Sequence, residues 1–127
     1  MLSKEIHKMD NELMKIDKTG DITTVEFLKD EISIVENENV KRELLNLIKK
    51  GNKKILVNFS KVQFISSVIL ASLISCLKEM KEVSGVLKLC CMNQKVKSVF
   101  YVTELYKIFE IYEDKAHALD AFPRHAL

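Results

Sequence analysis

Lys53-Lys54-Ile55-Leu56-Val57-Asn58-Phe59, and then Phe64-Ile65-Ser66-Ser67-Val68-Ile69-Leu70, are the stretches on which the fold of this chain is read. Ile55 to Phe59 is a near-continuous apolar run of strand length, which suits a strand buried on both faces. Leu70, Leu73, Ile74 and Leu77 follow at the i, i+3, i+4, i+7 spacing of an amphipathic helix that ends near Gly85. Between strand and helix stand two hydroxyls, Ser66 and Ser67. A helix start presents unpaired N–H groups and the positive end of the macrodipole, so it favours negative charge. A serine there either caps the helix or carries a phosphate that a partner protein reads. In the capping reading Ser66 accepts a backbone N–H, worth about 1 kcal/mol, and Ser67 lies in the first turn.

Upstream, residues 1–11 are polar and read as a loose lead-in. Residues 12–17 and 21–27 read as two short strands around Thr19-Gly20, a hairpin-like turn. Residues 31–35 read as a third strand. The period then changes: Val40, Leu44, Leu47 and Ile48 follow helical spacing, with Glu36 and Glu38 before them and Lys49, Lys50 and Gly51 after. Acidic start, basic end and a glycine stop fit one amphipathic helix. Downstream, residues 86–91 read as another buried strand. Val96, Val99 and Phe100 share one face of a helix behind Asn93, residues 108–112 form a last strand, and Asp114 caps a final helix running to Phe122, where Pro123 closes it. Strands first, then alternating helix and strand, predict an α/β domain: a mixed, mostly parallel sheet with helices packed on it. No internal repeat or linker divides residues 1–127, so one domain is expected.

Composition agrees. The 127 residues are 47% hydrophobic with three glycines and one proline, which describes a globular chain able to bury a core. A net charge of +2, with basic residues scattered among acidic ones, gives no footprint for nucleic acid or an anionic membrane. No apolar run approaches the roughly 20 residues that span a bilayer, and the N-terminus lacks a signal-peptide pattern. Cys76, Cys90 and Cys91 are odd in number and lack a CxxC, which points to free thiols and a reducing, cytoplasmic setting. Cys90 and Cys91 end a strand, where neighbours point to opposite faces, so they are expected not to bridge.

No catalytic constellation emerges. His7, His117 and His125 fall in the lead-in, the final helix and the tail, away from a nucleophile or a metal-spaced ligand. Gly20, Gly51 and Gly85 are too far apart to form a phosphate cradle. No cofactor, metal or catalytic residue is assigned.

The order of these stretches resembles the STAS domain, and within it the bacterial anti-sigma factor antagonists. The resemblance runs from about Leu13 to Phe122. It is carried by Ile55-Leu56-Val57-Asn58-Phe59-Ser60, Val62-Gln63-Phe64-Ile65-Ser66-Ser67 and Gly85-Val86-Leu87-Lys88-Leu89, then Val96-Lys97-Ser98-Val99-Phe100, Thr103-Glu104-Leu105, Ile108-Phe109-Glu110-Ile111-Tyr112 and Ala118-Leu119. The resemblance implies a non-enzymatic partner switch: the unphosphorylated antagonist binds an anti-sigma factor, often a serine kinase, and phosphorylation of a serine at the second helix start ends the complex. The family pattern there is Asp-Ser-Ser/Thr-Gly. Aligned on Phe64 and Leu70, Ser67 takes the phosphorylated position. Ser66 stands where the family has Asp, Val68 and Ile69 replace Ser/Thr and Gly, and Asn58 replaces a common Asp. Two carboxylates near the phosphosite are thereby lost. Their loss removes repulsion against a phosphate and also removes groups a kinase could use.

Helix geometry extends the expected partner surface from Ser66 and Ser67 to Ala71 and Ser75, which continue the Ser67 row, and to Val68 and Ser72 in the neighbouring row. Three functions stand at this stage: a cytoplasmic antagonist switched at Ser67, a STAS interaction module without phosphorylation, and a small enzyme or nucleotide binder. The sequence leaves oligomeric state open.

Overall fold

The computed structural model describes residues 13–124. β1 (Met14–Thr19) and β2 (Ile22–Phe27) form an antiparallel hairpin with Thr19 opposite Ile22, turned through Gly20 in the left-handed region at φ 62°. β3 (Lys54–Asn58), β4 (Val86–Cys90) and β5 (Glu110–Tyr112) then add in parallel, so the sheet order is β1-β2-β3-β4-β5. The crossovers are α1 (Ile34–Lys49), α2 (Ser67–Glu82) and α3 (Gln94–Val102), the last followed by a 3-10 turn at Leu105–Lys107. α4 (Lys115–Asp120) closes the described chain. The expected mixed, mostly parallel sheet is found, and β3 and β4 pair from Lys54↔Val86 to Asn58↔Cys90 with α2 between them in sequence.

Strand alternation sorts the apolar residues into two layers. Val25, Phe27, Ile55, Val57, Leu87 and Leu89 meet the apolar stripes of α1, α2 and α3 on one face. Leu56 and Cys90 meet Ala118 and Phe122 on the other. Burial on both faces is why β3 and β4 read as continuous apolar runs rather than alternating ones. Phe27, Phe59, Phe100 and Phe109 chain together edge to face, with ring centroids 5.3, 6.4 and 5.8 Å apart, the geometry that aromatic quadrupoles favour. Gly85 lies at a close approach of chain segments. An added Cβ would sit 2.9 Å from Met80 Cε and 3.0 Å from the Lys53 carbonyl oxygen. On the outer face Lys88, 4% exposed, pairs with Glu110 and donates to the Tyr112 hydroxyl at 3.2 Å.

Three expectations are corrected. Residues 31–35 are not a strand: Ser33 is the N-cap of α1, which starts at Ile34 and takes Glu36 into its first turn. Burial does not follow a strand either, since Ile32 is buried in the core while Ile34 and Val35 are 71% and 77% exposed. A capping box decides the local structure instead. Ser33 Oγ accepts from the Glu36 amide at 3.1 Å and Glu36 Oε1 accepts from the Ser33 amide at 3.0 Å. The last strand, Glu110–Tyr112, is shorter than 108–112, because exposed Ile108 is the C-cap of the preceding 3-10 turn. Cys90 and Cys91 do not point apart either. β4 stops at Cys90, Cys91 turns to φ 69°, and the two Sγ atoms lie 3.2 Å apart. The lead-in at 1–11 and the histidines His7 and His125 lie outside the described residues.

Candidate functional site

α1 and α2 run the same way on one face of the sheet, and both begin at the end where β2 and β3 finish. Their registration is fixed inside the protein. Ser72 Oγ of α2 donates to Asn37 Oδ1 of α1 at 2.9 Å, with both residues buried. Ile34 lies one turn before Asn37 and Val68 one turn before Ser72, so the two helix starts stand side by side.

The loop from Phe59 to Ser66 that leads into α2 is tied on three sides. Asn58 Oδ1 accepts from the Ser60 amide at 2.8 Å, and Glu26 takes Ser60 Oγ at 3.3 Å and Lys61 at 3.6 Å. The Gln63 and Phe64 amides both donate to the Asp30 carbonyl, at 2.9 and 3.1 Å. Asn93 caps α3 through Oδ1 at 2.8 Å from the Val96 amide, and its Nδ2 spans the Val62 and Gln63 carbonyls, each at 3.4 Å. Asn58 thus holds a turn by accepting one hydrogen bond. The carboxylate in this corner is Glu26, its partner across the β2–β3 pairing.

The two serines separate clearly. Ser66 occupies the N-cap position with extended backbone (φ −106°, ψ 166°), but its side chain does not cap the helix. Its Oγ is buried without a hydrogen-bond partner, so the capping role expected of Ser66 is corrected. Ser67 is the first helical residue and is exposed. No acidic residue lies in the first turn of α2, so the N–H groups and macrodipole act there unopposed from within the helix. Ala71 is exposed, and Val68 and Ser75 are half-buried. Ser72 is 3% exposed and faces α1, so it is removed from the expected partner surface. The remaining row is Ser67, Ala71 and Ser75, small side chains that leave the α2 backbone open to close approach.

Three apolar residues that sequence reading did not assign to this surface stand around it. Ile34, Val35 and Phe64 are 71%, 77% and 49% exposed, although each is large and apolar. Phe64 is held by the backbone bonds to Asp30 and lies under the Lys95 ammonium, 5.0 Å from the ring centroid. A capping-box reading of Ser33-x-x-Glu36 would have placed Ile34 and Val35 at a helix start, where neither inner face is available. Glu36 is committed to that cap: the Ser33 amide, then Lys29, hold its carboxyl below its ordinary value. The end of the molecule around Ser67 is therefore an exposed hydroxyl in a partly apolar frame above a hydrogen-bonded loop.

Chemistry of another kind finds little here. Among the described residues no three His, Cys, Asp or Glu side chains come together as a metal-holding group. His117 pairs with Asp114 at the exposed start of α4, 2.8 Å apart. Among the described residues no helix is long and apolar enough to cross a membrane.

A family model described as the STAS domain matches residues 14–118. The chain is 27% identical over 85 residues to BtrV of Bordetella bronchiseptica, named as a candidate anti-sigma factor antagonist. That match covers 67% of this chain and 73% of the relative. It is 29% identical over 102 residues to the Thermotoga neapolitana homologue of TM1081, named likewise, covering 73% of this chain and 90% of that protein. The crystal structure of TM1081 from Thermotoga maritima is similar with a TM-score of 0.78 at 25% identity, covering 87% of this chain and 95% of the other.

Proposed function

Because this chain belongs to the STAS domain family, we propose that it is an anti-sigma factor antagonist that binds its partner around the start of α2 and is released when Ser67 is phosphorylated. The partner is an anti-sigma factor that is itself a serine kinase, and the setting is the cytoplasm. The relatives named as candidate antagonists support the general role. The observation that carries the switch is the contrast between the two serines: Ser67 is exposed at the first helical position, while Ser66 buries its hydroxyl.

The physics of such a switch follows from the site. A phosphate adds about −1.5 to −2 charges and three strong acceptors. In the free protein the α2 N-terminus accommodates it, with no carboxylate in that turn to repel it. In a complex the same group would be pressed against a partner packed on Ile34, Val35, Phe64 and Ala71, where it loses its water. The domain stays folded and the complex is lost. Calorimetric titration of Ser67→Ala and Ser67→Asp against the anti-sigma partner, beside phosphosite mapping after kinase treatment, tests this. Ser67→Ala should bind like the wild type and resist phosphorylation. Ser67→Asp should bind more weakly by several kcal/mol if its charge is buried unpaired. Equal affinity for all three with no phosphate on Ser67 would overturn the switch.

A second reading is a STAS interaction module that is never phosphorylated. It is favoured by Ser66 and Asn58 standing where the family pattern carries carboxylates and by Val68-Ile69 in place of Ser/Thr-Gly. Equal affinities in the titration, with the partner still bound, select it.

A further inference from the structure

We propose that Cys90 and Cys91 are an oxidisable vicinal dithiol, a modification site that closes to a Cys90–Cys91 disulfide when hydrogen peroxide reaches Cys91. Adjacent residues of a strand normally hold their side chains on opposite faces. Here the strand ends between them. Cys91 takes φ 69°, a conformation uncommon outside glycine, and brings its Sγ to 3.2 Å from that of Cys90.

The two thiols have different surroundings, which assigns their roles. Cys91 is half-buried, the more accessible of the two, and can meet a small oxidant. Cys90 is fully buried against Leu56, Ala118 and Phe122. Burial pushes the Cys90 thiol well above its ordinary value, so it is not the first nucleophile. Cys76 is buried in the other core layer and its thiol is pushed up to about 12 by burial, which leaves it outside the reaction.

The chemistry balances in two steps. The Cys91 thiolate attacks one oxygen of peroxide, the O–O bond breaks, and the departing hydroxide takes up the proton Cys91 gave, leaving as water. The Cys91 sulfenic acid now faces a sulfur already in contact. Cys90 sulfur displaces the hydroxyl, the S–S bond forms, and the hydroxyl leaves with the Cys90 proton as a second water. Two electrons pass from the dithiol to peroxide. Cα atoms across a trans peptide are about 3.8 Å apart, shorter than the usual span of a disulfide, so the ring is strained and reopens readily to a thiol reductant.

The site is wired to the loop before α2. The Cys90 carbonyl accepts from the Phe59 amide at 3.0 Å and the Cys91 amide donates to the Tyr112 carbonyl at 3.1 Å. Asn93, two residues on, holds the Val62 and Gln63 carbonyls. Pulling Cys91 toward Cys90 therefore loosens the support of the segment that ends at Ser66. None of this depends on the antagonist reading.

The full-length protein treated with peroxide, then mapped by mass spectrometry, tests the proposal. The expected product has lost two hydrogens, carries an S–S link within the Cys90-Cys91 peptide, and returns to the dithiol with dithiothreitol. Cys91→Ser should abolish it. Amide exchange at residues 62–67 should be faster in the oxidised form. Oxidation that stops at a Cys91 sulfinic acid with Cys90 still alkylatable after denaturation, or disulfide-linked dimers instead of the internal ring, would overturn the site. Ring closure with unchanged exchange at 62–67 would overturn its transmission to the loop.

Discussion

Replacing Ser72 by alanine asks which way α2 faces and how the two helix starts are held together. Ser72 and Asn37 are 3% and 7% exposed, and one hydrogen bond of 2.9 Å joins them. Ser72→Ala removes the donor and leaves Asn37 Oδ1 in a place with little access to water. An unsatisfied buried acceptor costs about 1–3 kcal/mol. An exposed serine on a helix would change stability by no more than about 0.5 kcal/mol either way. The reverse single change, Asn37→Leu, should cost less, because a helical serine hydroxyl can turn back to its own i−4 carbonyl, here that of Val68. With both changes the buried polar pair becomes an apolar contact, which can be nearly neutral. The double variant should therefore lose less than the sum of the singles, by about 0.5–3 kcal/mol of coupling. Urea unfolding followed by far-UV circular dichroism, with unchanged m-values, gives all three numbers. A Ser72→Ala loss below about 0.5 kcal/mol together with additive singles would place the hydroxyl in solvent and refute the registration of α1 against α2.

Two further outcomes test the frame. Leu73 is 1% exposed at the centre of the α2 stripe, so Leu73→Ala should cost about 2–5 kcal/mol in the same denaturation assay, and a loss well under 1 kcal/mol would mean the helix faces the wrong way. The Lys88 hydrogen bond holds the Glu110 carboxyl below its ordinary value, so the stability it contributes is present above the unfolded pKa of about 4.3 and drains as pH falls through the lower folded value. Glu110→Gln should thus be less stable than the wild type at pH 7 by a margin that shrinks below pH 4. A margin constant across that range would show the pair contributes nothing through ionisation.

The α/β class and the centre of the sheet are legible in the sequence. Apolar runs at 55–59 and 86–91 carry burial on both faces in their composition, and the stripe Leu70, Leu73, Leu77 carries the helix between them. Asn93 and Asp114 announced their helices because a cap is a local interaction, and both side chains accept the expected amide, from Val96 and His117. The same locality could have placed Ser33, whose capping box with Glu36 lies inside the stretch read as a strand. Ser67 at the start of α2 was also legible, since strand end and helix period fix it from both sides.

What each side chain at that helix start does depends on contacts between elements distant in the chain. Periodicity describes one helix against one sheet, but α2 also packs against α1, so its buried arc widens to take in Ser72, about 100° round from Leu73. Whether Ser66 turns its hydroxyl onto the backbone or into the protein is set by how Asp30 and Asn93 hold the preceding loop, residues distant in sequence. Ile34, Val35 and Phe64 became a surface only when two separate loops were brought to one end of the sheet. The meeting of the Cys90 and Cys91 thiols rests on a single backbone angle at the end of β4, where the strand's alternation no longer applies.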